Sequence, residues 1–462
     1  MGTSKRIVVI GAGMGGLAAA AFLAKRGEDV LVLEASSKPG GLASLLTVEQ
    51  LTFDLGPYIL LDRAGLEWGF DQLGENLAAH VQLVQLEDIY QVEYEDGPTV
   101  QIHRDLATTA AGFDRLGQGA GEQYIRFVER VYAIYTRLRP LLYTANPGPR
   151  ALLRYRALDL APFLLSSLSA ILKQSALPHM ITDALSIWTH IAGQEATEAP
   201  SLLAFVPALI HYNGAYVCRG GIGTIPIALE QVAKNAGAEF RYGAKVRKIH
   251  CAQGAVQAVE TGDELIEVKG IVSNASPMST YMHLLGQSPK RYVRKLQRLP
   301  LQSPGVAAYL AVQSSSDAHF LRFRLPKQGH CRLLIQPGVA DPSRDGTARL
   351  LGPVSQEWAE QAGESGQQAY LDELIAEQWW RSDFAQARPV ARRVAADLGR
   401  EFSLFRDSMN PVMTRRLMLS GRISHKSRLV NGLYFAGSAT DPGQWVSFAA
   451  ISGILAAREL LC

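Results

Sequence analysis

Hydrophobic positions near the start of the chain form two short runs on either side of an alanine-rich segment. The first run, Ile7 to Ile10, is followed by glycines at positions 11, 13 and 16. The alanine-rich segment, Leu17 to Lys25, leads to a second run, Val30 to Leu33, that ends on Glu34. This order predicts strand, tight turn, helix, strand and a terminal acid, the βαβ unit of a dinucleotide-binding fold.

The rest of the chain alternates between strand and helix patterns. Asp88 to His103 alternates around Asp96-Gly-Pro98, which predicts a hairpin. From Leu106 to about His190 the pattern is helical, most clearly from Tyr124 to Tyr135. Further strands are predicted at 239–242, 246–250, 255–260, 265–268, 271–274, 306–312 and 332–335, and helices at 225–236, 370–380 and 445–461.

The segment from Arg150 to Leu172 allows two interpretations. Arginines at its start precede an apolar run. A core helix with solvated arginines at one end is one interpretation. The other is a helix in a membrane interface, with Phe163, Leu164, Leu165 and Leu168 in the acyl region.

The glycines and the terminal acid have separate physical roles in such a unit. Gly11 permits the sharp turn out of the strand, Gly13 lets a pyrophosphate approach the backbone, and Gly16 lets the helix pack closely. The helix N-terminus offers unpaired N–H groups to phosphates, and Glu34 can bind ribose hydroxyls. These residue types predict dinucleotide binding, with NAD and FAD equally admissible from this stretch alone.

Composition limits the class of protein. With 462 residues, 47% of them hydrophobic and 19% charged, the chain can form two or three globular domains. A net charge of +3 argues against nucleic-acid binding. The four scattered cysteines indicate free thiols and no metal site. Strand structure begins by Ile7 and no apolar run reaches about 20 residues, so we expect a cytoplasmic protein without a signal peptide or a spanning helix.

Several motifs together resemble the phytoene desaturase-like family of the flavin-containing amine oxidoreductase superfamily, in its carotenoid desaturase and isomerase branch. Beyond the first unit they are Gly40-Gly41, Phe53-Asp-Leu-Gly-Pro57, Arg219-Gly-Gly-Ile-Gly223 and the tail from Gly432 to Gly443. The resemblance implies an α/β fold: a glutathione-reductase-type FAD-binding Rossmann domain with an inserted α+β substrate domain. It places the FAD domain at residues 1–75, 216–285 and 415–462, and the substrate domain at 76–215 and 286–414.

The resemblance also assigns residues to the cofactor FAD. Gly11, Gly13 and Gly16 would meet the pyrophosphate, Glu34 the adenosine ribose, Val246 the adenine, and Asp441 the ribityl chain or phosphate. The full predicted set is Gly11, Gly13, Met14, Gly15, Gly16, Glu34, Ala35, Gly41, Leu42, Val246, Gly437, Asp441, Trp445 and Val446. Leu42 stands where the family often has arginine, so one cationic diphosphate contact is expected to be missing.

The resemblance implies desaturation or isomerisation at carbon–carbon bonds of an apolar polyene, carotenoid or isoprenoid-like substrate, by hydride transfer to or from flavin N5. Tyr58 and Trp445 are the candidate residues near the ring. His190 and His211 are interpreted as structural, and Asp62 and Arg63 are placed at the substrate entrance. Only one full dinucleotide fingerprint is present, so a separate NAD(P)H domain is not expected. Electrons are then expected to enter or leave by oxygen, a quinone or the substrate itself.

Two other functions stay open. A flavin amine oxidase could use Tyr58 and Trp445 as an aromatic cage, and a non-catalytic flavin-binding protein is the third hypothesis. Peripheral membrane contact depends on the segment from Arg150 to Leu172.

Overall fold

The computed structural model describes residues 5–262, 264–286, 288–313, 319–381, 384, 386–420 and 422–462. In these ranges, strands β1 to β20 are Arg6–Ile10, Val30–Leu33, Leu45–Val48, Leu51–Asp54, Leu83–Gln85, Asp88–Tyr94, Thr99–His103, Tyr216–Cys218, Glu239–Arg241, Val246–Ala252, Ala255–Thr261, Glu264–Ser273, Leu301–Gln302, Val306–Ala311, Leu321–Leu325, Arg332–Ile335, Thr347–Gly352, Arg388–Arg393, Asn410–Pro411 and Leu433–Phe435.

Helices α1 to α18 are Met14–Ala24, Arg63–Gln72, Leu77–His80, Leu106–Asp114, Ala120–Leu138, Pro149–Arg154, Ala161–Leu164, Leu168–Lys173, His179–Ala192, Phe205–Asn213, Thr224–Asn235, Pro277–Ser279, Lys290–Gln297, Gln356–Ala376, Gln378–Arg381, Ala395–Phe402, Arg415–Ser420 and Val446–Leu461. Short 3-10 turns supplement them at Gly41–Ala43, Arg139–Tyr143, Leu158–Leu160, Ser201–Ala204, Pro337–Val339, Pro342–Arg344 and Phe405–Asp407, with a π turn at Thr280–Leu284.

The first sheet has a parallel centre in the order β9, β2, β1, β12 and β20. The antiparallel hairpin β10–β11 continues it along the first half of β12. Strands β1, β12 and β20 come from distant parts of the chain, and their carboxyl ends meet at one edge. The predicted βαβ unit is confirmed, with β1, α1 and β2 within a few residues of their expected bounds.

The second sheet is mixed and runs in the order β18, β14, β17, β16, β15, β6 and β7. It contains the predicted hairpin, β6 with β7. Helices between Leu106 and Asn213 pack against it through a large apolar cluster that includes Tyr124 and Phe323. The predicted mixed α/β class is confirmed, while the predicted domain boundaries stay a prediction.

A buried ion pair connects the strand β4 to the second sheet. Asp54 Oδ2 lies 2.7 Å from Arg344 Nη1, and both side chains are about 95% buried. The other carboxylate oxygen accepts a hydrogen bond from the backbone N–H of Ile222 at 2.7 Å. The guanidinium of Arg349, on β17, donates to the carbonyl oxygens of Asp54 and Gly56. Breaking a buried ion pair is costly because it leaves an uncompensated charge in the interior, so these contacts fix β4 against the second sheet.

Helices α1 and α18 cross at glycines. A Cβ atom on Gly453 would lie 2.0 Å from the carbonyl oxygen of Gly15, and one on Gly15 would lie 2.6 Å from the backbone nitrogen of Gly437. All eleven residues of α1 are buried, which explains its alanine-rich, non-amphipathic sequence. The close crossing brings the start of the chain against its tail.

Three sequence predictions need correction. The strands expected at 265–268 and 271–274 are one strand, β12, whose register shifts against β1 between Val268 and Gly270. The helix expected at 370–380 is the end of α14 followed by α15, with Glu377 in an extended conformation between them.

The segment from Arg150 to Leu172 is the third correction. It forms three short helices and a 3-10 turn, so neither single-helix interpretation describes it. Phe163 and Leu168 are buried in the core and are therefore not in an acyl region, whereas Leu153, Leu158 and Leu165 are 64%, 48% and 52% exposed. Among the described residues, no helix has the length and apolar character needed to cross a bilayer.

Replacing Gly453 by alanine tests the helix crossing. The added methyl would meet backbone, which cannot move cheaply, so we expect a loss of about 1–3 kcal/mol in the free energy of unfolding. Chemical denaturation measures it. Gly112→Ala is the matched control, because a Cβ there meets nothing within 4 Å and α4 should gain up to about 1 kcal/mol. Equal effects of the two substitutions would contradict the crossing.

Candidate functional site

The glycine-rich turn after β1 is built by close backbone contacts. Gly11 has a φ of +94° and donates its N–H to the carbonyl oxygen of Leu33 at 2.8 Å. A Cβ on Gly16 would lie 2.0 Å from the carbonyl oxygen of Gly11, and one on Gly13 would lie 2.5 Å from Asn274 Oδ1. Glycine is therefore required here by the protein's own packing, before any ligand is considered.

Asn274 ties this turn to the tail of the chain. It follows β12, and its Nδ2 donates to the carbonyl oxygen of Ala436 at 3.1 Å. A Cβ on Gly437, whose φ is +106°, would lie 2.5 Å from the same Nδ2. The amide thus fills the space between Gly13 and Gly437. Sequence reasoning placed Asn274 at a strand end but missed this role, because nothing local in the sequence marks it.

Glu34 holds the loop beyond β1 and β2. One carboxylate oxygen accepts from the backbone N–H of Ala12 at 2.6 Å and the other from that of Ser36 at 2.7 Å. The second glycine pair adjoins this turn, since the N–H of Gly40 donates to the carbonyl oxygen of Ala12 at 2.8 Å. Glu34 remains partly exposed at the cleft, and its contact with a ribose stays a prediction.

A cavity of about 1280 Å³ runs from this cradle into the core of the helical region. All predicted cofactor residues line it except Gly16, which packs beneath the turn. Both candidate ring neighbours, Tyr58 and Trp445, also line it. The far part is lined by apolar residues of α5, α7 and the 201–204 turn, among them Leu138, Leu164 and Leu202.

Arg422 is a cation in this cavity that sequence reasoning missed. Its Nη1 donates to the carbonyl oxygens of Ser438 and Thr440, and its Nε is buried without a partner. Burial lowers the pKa of Arg422 to about 10, against the opposing effect of Asp441. Burial likewise raises the pKa of Asp441, which Arg422 partly offsets. An unpartnered cationic N–H fits an anionic group, and it supplies a positive charge that Leu42 does not.

Asp62 lies at the boundary between the cradle and the apolar part. Its Oδ2 accepts from Ser447 Oγ at 2.9 Å and its Oδ1 from the N–H of Gly65 at 3.1 Å. Burial raises the pKa of this carboxyl, although both hydrogen bonds favour the ionised form. Arg63 does not line the cavity and pairs instead with Glu67 at 2.7 Å, so the two residues expected at one entrance separate.

The structure also gives the burial and contacts of the other residues that the sequence singled out. Tyr58 is 8% exposed, and burial raises its pKa. The Trp445 ring stacks on Phe448 with centroids 4.9 Å apart. His211 bonds the Tyr124 hydroxyl at 2.7 Å and the Arg104 carbonyl oxygen at 2.9 Å, which confirms a structural role. His190 is exposed at the end of α9 and does not line the cavity.

The chain is similar to one family model, to proteins of known activity and to solved structures. The family model described as "Flavin containing amine oxidoreductase" matches residues 14–330. A 4,4'-diapolycopene oxygenase of Methylomonas sp is 24% identical, covering 99% of this chain and 98% of that protein. A zeta-carotene-forming phytoene desaturase of Myxococcus xanthus is 30% identical over 67% of this chain and 60% of that protein. An oxidoreductase structure from Methanosarcina mazei has a TM-score of 0.71 at 18% identity, covering 98% and 100% of the two chains.

The raised pKa of Asp62 predicts a pH-dependent effect of Asp62→Asn. A carboxyl whose pKa is higher in the folded state costs stability as pH rises through the range between its unfolded and folded values, because the folded protein retains the proton longer. We expect the stability of the variant relative to the native protein to increase from about pH 4 upward and then level off. Urea denaturation across this range measures the difference. A difference that is constant with pH would contradict the assigned shift.

Proposed function

This chain belongs to the flavin containing amine oxidoreductases, and on that premise we propose that it is an FAD-dependent oxidoreductase acting on a long apolar polyene. The reaction is desaturation or isomerisation at carbon–carbon bonds. The relatives named as carotenoid desaturases and oxygenases support this substrate class.

One observation carries the proposal: the glycine cradle and the apolar tunnel form one continuous cavity. Its volume of about 1280 Å³ exceeds the range of about 300–1,000 Å³ that is usual for single ligands. A dinucleotide in the cradle leaves the leucine-lined part for an elongated apolar molecule. Polar substrates have few partners there, because the far part presents mainly aliphatic and aromatic side chains.

The residues around the cradle support FAD as the flavin. The βαβ unit and its terminal acid suit an adenosine half, and the glycine turn leaves backbone N–H groups open to a diphosphate. We assign the unpartnered Nε of Arg422 to an anionic or carbonyl oxygen of the cofactor. FAD bound there supplies a hydride acceptor in its flavin ring.

The chain's own residues then orient the reactants and exclude water. The N-terminus of α18 at Val446 lines the cavity with unpaired N–H groups and a positive dipole end, which would favour negative charge on a flavin bound there. Tyr58 and Trp445 line the same cavity and would form part of its wall around the cofactor. Asp62, held by Ser447 and Gly65, also lines the cavity, as a buried carboxyl that can retain a proton.

The amine oxidase alternative finds less support. Such an enzyme is expected to place a lysine near the flavin ring, but among the described residues lining the cavity the lysine is Lys245, which donates to Ser403 Oγ at 3.0 Å. Lys245 precedes Val246, the residue assigned to the adenine end. The Trp445 ring stacks on Phe448, so one of its faces is covered by a protein side chain and not available to an amine.

The domain division and the electron acceptor complete the proposal. Residues 1–75, 216–285 and 415–462 form the FAD domain, and 76–215 and 286–414 form the substrate domain. The βαβ unit at Arg6 to Glu34 carries the one full fingerprint in the sequence. Oxygen or a quinone is therefore the proposed acceptor rather than a bound nicotinamide.

Anaerobic mixing of the purified protein with a panel of carotenoids and isoprenoids tests the substrate class. We expect a product with altered conjugation, accompanied by bleaching of the flavin absorbance if the reaction is desaturation and by no net bleaching if it is isomerisation. Leu202→Glu should lower the rate at least ~10-fold by burying a charge in the tunnel, with flavin content unchanged. Ile227→Glu, at a site 49% exposed, is the matched control. Bleaching by amines, and by none of the polyenes, would favour the amine oxidase instead.

Peripheral membrane contact has its own test in liposome flotation. Leu153, Leu158 and Leu165 are exposed beside the exposed arginines at 150, 154 and 156, and Leu165 also lines the cavity. Changing all three leucines to serine should abolish flotation with anionic liposomes, because the inserted apolar area is lost. Leu265→Ser, at a leucine 61% exposed on β12, should leave flotation unchanged. Flotation that survives the triple change would exclude this surface.

A further inference from the structure

Three metal-ligating side chains meet at one end of the second sheet, away from the cavity. They are Asp88 at the start of β6, His103 at the end of β7, and His319 two residues before β15. One ligand atom from each, an imidazole nitrogen or a carboxylate oxygen, lies within 4.8 Å of the others. None of the three lines the cavity described above.

Strand register builds this trio. Asp88 pairs directly with His103 across the antiparallel ladder. The parallel register that pairs Leu321 with Tyr90 brings His319 level with Asp88, and the N–H of Phe320 donates to the carbonyl oxygen of Asp88 at 3.1 Å. The three residues therefore lie level with one another, two on paired strands and His319 just before the third, and backbone pairing fixes their spacing.

The contacts within the trio leave it incomplete. His103 Nδ1 lies 2.5 Å from Asp88 Oδ1, and the two imidazole rings have centroids 5.1 Å apart. His319 is 93% buried, and its Nε2 has no hydrogen-bond partner. An unpartnered imidazole nitrogen in a buried position loses hydration without compensation. A cation bound jointly with Asp88 and His103 would give this nitrogen a partner.

We propose that Asp88, His103 and His319 bind a first-row divalent transition-metal ion of the zinc type. Imidazole nitrogens suit such ions, and two histidines with one carboxylate give three protein ligands and leave an open position for water. Metal–nitrogen bonds of about 2.0–2.1 Å in a tetrahedron put the ligand atoms about 3.3 Å apart. The ligand atoms of the trio lie within 4.8 Å of one another, so small side-chain rotations would bring them to that spacing. The ion would clamp β15, β6 and β7 together.

No sequence spacing indicates this site. Its members lie at positions 88, 103 and 319, and only the pairing of β15 with β6 unites them. The sequence-based expectation of no metal site rested on the four scattered cysteines, and it does not bear on histidine and aspartate ligands that come from separate strands.

Calorimetric titration of the flavin-loaded protein with ZnCl₂, after dialysis against EDTA, tests the proposal. We expect one ion per chain and a rise in the unfolding temperature on binding. Asp88→Asn, at an exposed carboxylate, and His103→Gln should each weaken zinc binding at least ~10-fold. Flavin content, polyene turnover and the fold of the metal-free protein should not change in either variant.

His250→Gln is the matched control, because His250 bonds Glu260 across β10 and β11 at 2.7 Å without a second histidine. It should bind zinc as the native protein does. Absence of zinc binding in the native protein would overturn the proposal. Equal affinity in the native protein and in Asp88→Asn would do the same, by showing that the ion lies elsewhere.

Discussion

The close approach of three backbone turns around Asn274 is the constraint on which the site depends. The turns follow β1, β12 and β20. Those after β1 and β20 carry glycines where a side chain would collide with the Asn274 amide or with another turn. Glycines at 13 and 437 make room for the Asn274 amide. Gly15 makes room for the backbone of Gly437, and Gly453 lets α18 touch α1. Parallel strands make such a meeting possible because their carboxyl ends share one edge of the sheet.

The second sheet and the helices are positioned relative to this cradle by buried charge. One carboxylate oxygen of Asp54 accepts a hydrogen bond from Arg344, and the other accepts one from the N–H of Ile222. Arg349 donates to the backbone carbonyl oxygen of Asp54. That backbone leads directly to Tyr58 in the cavity wall. Hydrogen bonds between buried charged and polar groups are directional, whereas apolar packing alone permits sliding. The tunnel therefore opens at a defined position relative to the cradle.

Local sequence patterns predicted much of this fold. What they did not predict depends on contacts between residues that are far apart in the sequence. The unit from Arg6 to Glu34 is contiguous, so its turn, helix and acid could be assigned from spacing. Asn274, Arg422 and Gly453 carry no such signal, because each acts on a segment far away in sequence. The single-helix prediction for the segment after Arg150 failed for a different reason. Its apolar residues divide between core and surface within a few positions, as buried Phe163 and exposed Leu165 show.

The same topology has a consequence for how the polypeptide is made. Strand β1 emerges early, but its neighbour β12 and the tail that completes the sheet edge lie far downstream, with 400 residues between Leu33 and Leu433. At about 5–20 residues per second, a ribosome needs about 20–80 s to supply them. Strand β1 keeps one unpaired edge for the part of this interval that precedes the synthesis of β12, and such an edge promotes association between chains. Nascent molecules of this protein thus spend their synthesis with the cofactor cradle half built, in the period when chaperones act.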